Sequence, residues 1–126
     1  MNIDPIIIQY KSENKVSNLV KKGNLFSVYS NIDITIQPNE SKLILTGYKF
    51  NIDKCIILEV LNDKDINWSV NCLVRQDTIT MEDNNNELNV CIYNLGNSPL
   101  VINCGDPICL LKVGTYILAE FITTQI

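Results

Sequence analysis

Short hydrophobic or alternating runs, separated by polar segments, follow one another along almost the whole chain. Runs that recur at roughly 8–12-residue spacing are typical of an all-β sandwich or barrel, because each run has the length of one strand. The pattern predicts about ten short strands. They fall within residues 5–10, 25–30, 32–36, 42–46, 56–61, 68–74, 78–81, 88–93, 100–102, 108–113 and 116–121.

The polar segments between these runs have turn-forming compositions. Asn and Gly tolerate positive φ, Asp and Asn accept hydrogen bonds from the nearby backbone, and Pro fixes φ. We expect Pro38, Gly105 and Asp106 to specify two of the turns. An amphipathic helical pattern is confined to residues 11–22, so at most one short helix is predicted there.

The composition of the 126-residue chain supports a single all-β domain, because Ile occurs 19 times and Asn 17 times. The lack of histidine excludes Ser-His-Asp and Cys-His catalysis. A formal net charge of −4 argues against a nucleic-acid binder with a broad basic face. No apolar run approaches the ~20 residues of a membrane helix, and the amino terminus lacks the basic start of a signal peptide. We therefore expect an intracellular protein that is not secreted and has no nucleic-acid or membrane partner.

Three patterns admit a binding role, and each also has a simpler structural explanation. Glu82 and Asp83, followed by three asparagines, could form a divalent-cation loop or an exposed hairpin tip. Four lysines could contact phosphate or face solvent; they are Lys11, Lys15, Lys21 and Lys22. Of the five cysteines, all but Cys104 lie among aliphatic residues, as buried free thiols do, and zinc would need four scattered thiolates. We predict no metal and no cofactor.

Several stretches resemble the trimeric dUTPase family, whose members are β jelly rolls that hydrolyse dUTP. Residues 26–31, Phe-Ser-Val-Tyr-Ser-Asn, resemble the first motif, Tyr-Asp-Leu-Tyr-Ser-Ala, and residues 34–40 resemble the strand and Pro-containing turn that follow it. Residues 89–94 resemble the strand that ends in aromatic-Asn. Residues 104–111 are similar to the fourth motif, Gly-Asp-Arg-Ile-Ala-Gln-Leu. The resemblance extends from Gly23 to Lys112 and implies a jelly roll or distorted β-barrel.

The resemblance also identifies the positions that hold phosphate and metal in the family, and here these positions have other residue types. The acid of the first motif corresponds to Ser27. The phosphate-binding arginine of the second motif corresponds to Asp63 or Lys64, depending on a one-residue shift. The phosphate-contacting glutamine of the fourth motif corresponds to Leu110.

The third motif differs in the same way. Its water-positioning aspartate corresponds to Met81, the tyrosine that packs under the sugar to Asn84, and the hairpin glycine to Asn86. The fifth motif, an Arg- and Gly-rich segment that closes over the nucleotide, has no counterpart in residues 119–126. Turn residues that specify the fold are retained at Pro38, Gly105 and Asp106. We therefore assign no catalytic residue.

Three functions remain open. The first is a non-catalytic, homotrimeric structural or interaction module. The second is a divergent hydrolase that converts dUTP to dUMP and pyrophosphate with magnesium, in which other acids position metal and water; the candidates are Asp63, Asp65, Asp77, Glu82 and Asp83. The third is a regulatory protein that binds a host partner.

The resemblance and the composition also suggest an assembly and an origin. We expect one domain over residues 1–126, with an N-terminal strand and polar segment (1–22), a motif-matching core (23–112) and a C-terminal strand (113–126). In the family the C-terminal strand crosses to a neighbouring subunit, so the same is implied for residues 116–126. The excess of Ile and Asn indicates AT-rich coding, which suggests a large DNA virus and a location in the host cytoplasm or nucleus, or in the virion.

Overall fold

The computed structural model describes residues 4–115, 117 and 119–125. Its regular secondary structure is almost entirely β-strand, with two short 3-10 helices, so the all-β prediction is confirmed. The strands are β1 (Gln9–Ser12), β2 (Val20–Lys22), β3 (Leu25–Tyr29), β4 (Ile34–Ile36), β5 (Ser41–Asn51), β6 (Ile56–Leu61), β7 (Cys72–Val74), β8 (Thr78–Ile79), β9 (Glu87–Asn94), β10 (Leu100–Ile102) and β11 (Pro107–Thr115).

The strands form two main antiparallel sheets and a small third one. The four-stranded sheet has the order β1-β5-β9-β7, and the five-stranded sheet has the order β2-β3-β11-β6-β8. A two-stranded sheet pairs β10 with β4. Neighbours such as β5 and β9 are far apart in sequence, which is the long-range pairing expected of a jelly roll.

The hydrophobic core lies between the sheets, because alternate positions of each strand face inward. In β6, Ile56, Leu58 and Val60 are buried while the residues between them are partly exposed. Val90 and Ile92 of β9 point into the same core from the facing sheet. The period of two in the sequence therefore becomes the buried layer of the fold.

Two predicted strands give way in part to 3-10 helices. Instead of a strand throughout 68–74, a 3-10 helix covers Asn67–Val70, and only β7 is extended. Instead of a strand throughout 78–81, β8 stops at Ile79 and a second 3-10 helix covers Met81–Asp83. Thr80 and Asp83 exchange side-chain and backbone hydrogen bonds as a capping box, and this local bonding replaces the strand.

The short helix that the sequence allowed in residues 11–22 does not form, because the segment consists of the end of β1, an irregular connection and β2. Asn14 determines its course. The amide nitrogen of Asn14 donates to the carbonyls of Tyr29 (3.0 Å) and Thr46 (2.9 Å). Its amide oxygen accepts from the backbone nitrogens of Val16 and Ser17, both at 3.0 Å. These bonds give the backbone partners that a helix would otherwise supply.

The terminal segments also differ from the prediction. Residues 5–8 are not in a strand; pairing begins at Gln9. β11 continues to Thr115, past the predicted boundary at 112. The C-terminal strand predicted at 116–121 is not present in residues 117 and 119–125, and Tyr116, Leu118 and Ile126 lie outside the described residues. Phe121 is 100% exposed, because no part of the described chain covers it.

Candidate functional site

A polar cleft of about 410 Å³ lies beside the start of β11 and the loop that follows β6. It brings together two of the predicted motif positions, Ser27 and Asp63, with the turn residue Asp106. Trp68 and Tyr29 supply aromatic surface to the same cleft. This is the place where the first, second and fourth motifs of the resemblance meet.

A lysine that the motifs did not identify occupies the cleft. Lys22 Nζ lies 3.0 and 2.9 Å from the two carboxylate oxygens of Asp63 and 2.8 Å from Asp65 Oδ2. Asp63 is only 4% exposed and also accepts a hydrogen bond from the backbone nitrogen of Asp65 at 3.0 Å. A buried carboxylate needs such a partner, so Lys22 neutralises the charge at the base of the cleft.

The titration behaviour agrees with this arrangement. Hydrogen bonds from Lys22 to Asp65 and then to Asp63 raise the pKa of the lysine, while the bond from Lys22 lowers the pKa of the Asp65 carboxyl. Both shifts favour the charged forms of Lys22 and Asp65 at neutral pH. Because both side chains are open to solvent, this ion pair contributes little to the stability of the fold. The positive charge of Lys22 is therefore already matched by two carboxylates.

Ser27 and Leu110 are direct neighbours across the β3–β11 pair, and both are buried. Leu110 also lies opposite Leu61 of β6. An apolar side chain at this position offers no hydrogen bond to a phosphate. Of the two residues that could correspond to the second motif's arginine, Asp63 lines the cleft, whereas the exposed Lys64 does not.

The retained turn residues have structural roles. Gly105 has φ +92° and donates its backbone N–H to the Ser30 carbonyl at 2.8 Å. The carboxylate of Asp106 accepts from the backbone nitrogen of Asn103 at 2.9 Å, so it stabilises its own turn. Pro38 precedes Asn39, which has φ +63° in the turn between β4 and β5.

The third-motif positions lie outside this cleft. Met81 is half-exposed and lines a different surface pocket with Ile56 and Ile57. Asn84 bonds to both backbone groups of Ile52, at 2.9 Å each, and therefore anchors the 3-10 segment to the end of β5. Asn86 is exposed, and the positive φ expected at this hairpin glycine position belongs instead to Asn85 (+68°).

The acids proposed for a divergent hydrolase do not converge within the described chain. Asp63 and Asp65 bind Lys22, Asp77 binds Arg75, and Asp83 caps the 3-10 helix. Among the residues that the structure describes, no group of three Cys, Asp or Glu side chains is placed to hold a metal ion. The donor set therefore does not fit magnesium in a single chain, and we derive no step through it.

The sequence singled out Lys22 only as one of four lysines that could contact phosphate or face solvent. A signal in the sequence could have found it: Gly23-Asn24 separates Lys22 from Leu25, and Gly-Asn is a typical two-residue hairpin loop. In the structure Lys22 pairs with Leu25, and Gly23 has φ +64°. This hairpin places β2 at the edge of the sheet, next to the loop that carries Asp63.

The cysteines are all free, but Cys55 is exposed, contrary to the prediction that it is buried. Burial raises the thiol pKa of Cys72 and Cys109. Because only thiolates react, a thiol-alkylating reagent at neutral pH should modify Cys55 first, Cys104 more slowly, and the three buried cysteines only after unfolding. Peptide mass spectrometry measures this order. Labelling of Cys109 as fast as Cys55 would contradict the described packing.

Comparison with known proteins gives a consistent result. No family model matches the chain. A deoxyuridine 5'-triphosphate nucleotidohydrolase of Finegoldia magna is 28% identical over 124 aligned positions, which cover 92% of this chain and 84% of that protein. This similarity supports the resemblance to dUTPases.

Solved structures agree. A dUTPase from phage phi11 of S. aureus, in which a structural Mg(II) ion is coordinated, superposes with a TM-score of 0.83 at 13% identity, covering 95% of this chain and 97% of that one. The dUTPase of Staphylococcus bacteriophage 80alpha gives a TM-score of 0.82 at 12% identity, covering 94% and 96%. The predicted fold class, a dUTPase-like jelly roll, is confirmed.

Proposed function

We propose that this chain of dUTPase fold is a member of the dUTPase family that does not hydrolyse nucleotides and acts as a homotrimeric interaction module. The observation that carries the proposal is the charge of the cleft. The position where the resemblance implies a phosphate-binding arginine is Asp63 or Lys64, of which only Asp63 lines the cleft, and Lys22 is bonded to Asp63 and Asp65. With Asp106 also lining it, the cleft has a net negative charge, which disfavours a triphosphate.

The residues at the other motif positions support the same function. Met81 cannot orient a water for attack, and buried Leu110 cannot donate to a phosphate. Loss of a general base alone typically lowers a rate by about 10²–10⁴-fold, and loss of charge stabilisation at the phosphates lowers it further. Magnesium has a place only in the alternative hypothesis, that of a divergent dUTP hydrolase.

Exposed apolar side chains near both termini support self-assembly. Ile7 precedes β1, and Ile117, Phe121 and Ile122 follow β11; all four are largely exposed in the single chain. Apolar groups of this size are normally covered in the functional assembly. We propose that the C-terminal residues cross to a neighbouring subunit of a homotrimer.

A regulatory role is a second candidate. The dUTPase of Staphylococcus bacteriophage 80alpha, to which the chain is similar, controls transfer of virulence genes by a proto-oncogenic G protein-like mechanism. Because a relative of the same fold acts as a regulator, the surface of this chain is also suited to binding a partner protein. We propose that the protein acts inside a host cell or in a virus particle, where it binds a viral or host protein.

The test is pyrophosphate release from dUTP in the presence of magnesium, with the Finegoldia magna relative as the positive control. We expect no release above buffer, no thermal shift with deoxynucleotides, and a solution mass three times the 14.3 kDa of the chain. Magnesium-dependent pyrophosphate release would support the divergent hydrolase instead. High-copy recovery with purified particles would support the virion location, and absence from them would exclude it.

A further inference from the structure

The polar cleft beside the start of β11 holds a carboxylate that has no counterion. Lys22 is bonded to Asp63 and Asp65 at 2.8–3.0 Å. Asp106 lines the same cleft but forms no ion pair with any residue that the structure describes. Its Oδ2 accepts a hydrogen bond from the backbone nitrogen of Asn103 at 2.9 Å, which leaves Oδ1 without a donor from the described chain. An unpaired negative charge in a concave site attracts a cationic ligand.

A buried serine of the cleft also has no partner. Ser27 is 7% exposed and lines the cleft, and its hydroxyl makes no hydrogen bond with any described residue. Its neighbours in β3, Phe26 and Val28, pack in the core, so Ser27 points to the opposite side of the sheet, toward the cleft. Buried hydroxyl groups almost always have a hydrogen-bond partner. Ser27 therefore marks a place where a ligand supplies the missing bond, and its oxygen can accept that bond from an N–H donor.

The aromatic part of the cleft indicates which kind of cation fits. Tyr29 and Trp68 both line the cleft and are partly exposed. Aromatic faces attract cations, and a planar guanidinium packs on them better than an ammonium because it is more weakly hydrated. A metal ion fits less well, since no group of three Cys, Asp or Glu among the described residues is placed to hold one. The volume of about 410 Å³ lies within the range of small-ligand sites.

We infer that this cleft binds an arginine side chain of a partner protein. Asp106 and Ser27 accept hydrogen bonds from the guanidinium. The rings of Tyr29 and Trp68 supply the surface on which it packs. The arginine comes from another protein, because Arg75 is the single arginine of this chain and is already paired with a carboxylate of its own chain. The inference rests on the proposed non-catalytic function and names the chemistry of its partner.

The fluorescence of Trp68 tests the inference, because Trp68 is the single tryptophan of the chain and lies in the cleft. The full chain is titrated with an acetylated and amidated Gly-Gly-Arg-Gly-Gly peptide, and with the same peptide carrying citrulline or lysine instead of arginine. Citrulline keeps the shape of arginine but has no charge. We expect the arginine peptide to bind about tenfold more tightly than the citrulline peptide, because hydrogen bonds between charged groups are the stronger ones. The lysine peptide should also bind more weakly than the arginine peptide.

Three results of this titration would contradict the inference. The first is no saturable change with the arginine peptide. The second is equal binding of the arginine and citrulline peptides, which would show that charge is not recognised. The third is a lysine peptide that binds as well as the arginine peptide, which would show that the guanidinium is not recognised.

Asp106→Asn and Asp33→Asn are a matched pair of variants. Both carboxylates accept a bond from the backbone of one turn, Asp106 from Asn103 and Asp33 from Cys104 at 2.8 Å, but only Asp106 lines the cleft. Asp106→Asn should weaken binding of the arginine peptide about tenfold, and Asp33→Asn should leave it unchanged. Ser27→Ala, which keeps the charge, should weaken it about threefold. Circular dichroism checks that each variant is folded. Equal effects of the two Asp variants would mean a general attraction to an acidic surface and would overturn the inference.

The outcome can be separated from that of the proposed function. If the chain neither binds the arginine peptide nor releases pyrophosphate from dUTP, this inference fails and the non-catalytic role stands. If the chain releases pyrophosphate in the presence of magnesium, the non-catalytic role fails, together with the inference that rests on it.

Discussion

Replacing Asn94 with alanine is expected to lower the free energy of unfolding by about 3 kcal/mol, because one buried side chain satisfies three backbone groups. The amide nitrogen of Asn94 donates to the carbonyls of Ile36 (2.9 Å) and Ser98 (2.8 Å). The amide oxygen accepts from the backbone nitrogen of Gly96 at 3.0 Å. Alanine removes all three bonds and leaves a small cavity at a residue that is almost fully buried.

Urea denaturation monitored by circular dichroism measures this loss. Asn97→Ala is the matched control, because Asn97 belongs to the same loop between β9 and β10 but is exposed. We expect the control to change the free energy of unfolding by less than about 0.5 kcal/mol. Equal effects of the two substitutions would show that the bonds of Asn94 do not stabilise the loop.

The strands that the sequence predicts best are those in which buried and exposed positions alternate along the whole length of the strand. The predicted strand at 56–61 matches β6 residue for residue, because its inward and outward positions alternate without a break. The apolar residues Trp68 and Val70 also suggested a strand, but local bonds from Ser69 to Ile66 and from Asn71 to Trp68 close a 3-10 helix. Hydrophobicity alone does not distinguish these outcomes, since local turn bonds compete with strand pairing.

The candidate site could be predicted only in part, and the reason is again physical. The resemblance gave Ser27, and Asp63 or Lys64, as motif positions and Asp106 as a turn residue. The structure brings Ser27, Asp63 and Asp106 to one cleft, which the motifs did not predict. The partner of Asp63 is Lys22, which lies 41 positions earlier in the chain and reaches it only after β2 pairs with β3. Side chains that meet only because distant strands pair leave no periodic pattern in the sequence.

The fold and the charge of the cleft depend on different residues, and the proposed role follows from the charge. The dUTPase fold is retained through turn and core residues such as Gly105 and Ile108, none of which needs to contact a nucleotide. The cleft, by contrast, holds one lysine, Lys22, against the carboxylates of Asp63, Asp65 and Asp106, so its net charge is negative. A negatively charged cleft disfavours a triphosphate, and the proposed non-catalytic role rests on this property of the site and not on a change of fold.

Replacing Gly47 with alanine is expected to have a comparable or larger effect, about 3–4 kcal/mol, because two penalties act at one position. Gly47 has φ +76° at the irregularity of β5, a conformation that disfavours any Cβ. An added Cβ would also lie 2.7 Å from the backbone nitrogen of Asn14 and 2.9 Å from the carbonyl carbon of Glu13. To avoid the added Cβ, the backbone at residues 13 and 14 must move away. This movement breaks the 2.8 Å hydrogen bond from the Glu13 nitrogen to the Gly47 carbonyl.

Gly23→Ala isolates the backbone-conformation part of this penalty, so the difference between the two variants gives the steric part. Gly23 has a similar φ, +64°, but an added Cβ would meet nothing within 4 Å, so only the backbone conformation is strained and the expected loss is about 1 kcal/mol. Thermal and urea denaturation of the two variants measure the difference. Because the Asn14 segment leads into β2, Gly47→Ala should also loosen the contact of Lys22 with Asp63. Equal losses in the two variants would mean that the backbone at residues 13 and 14 yields without cost and does not position the lysine.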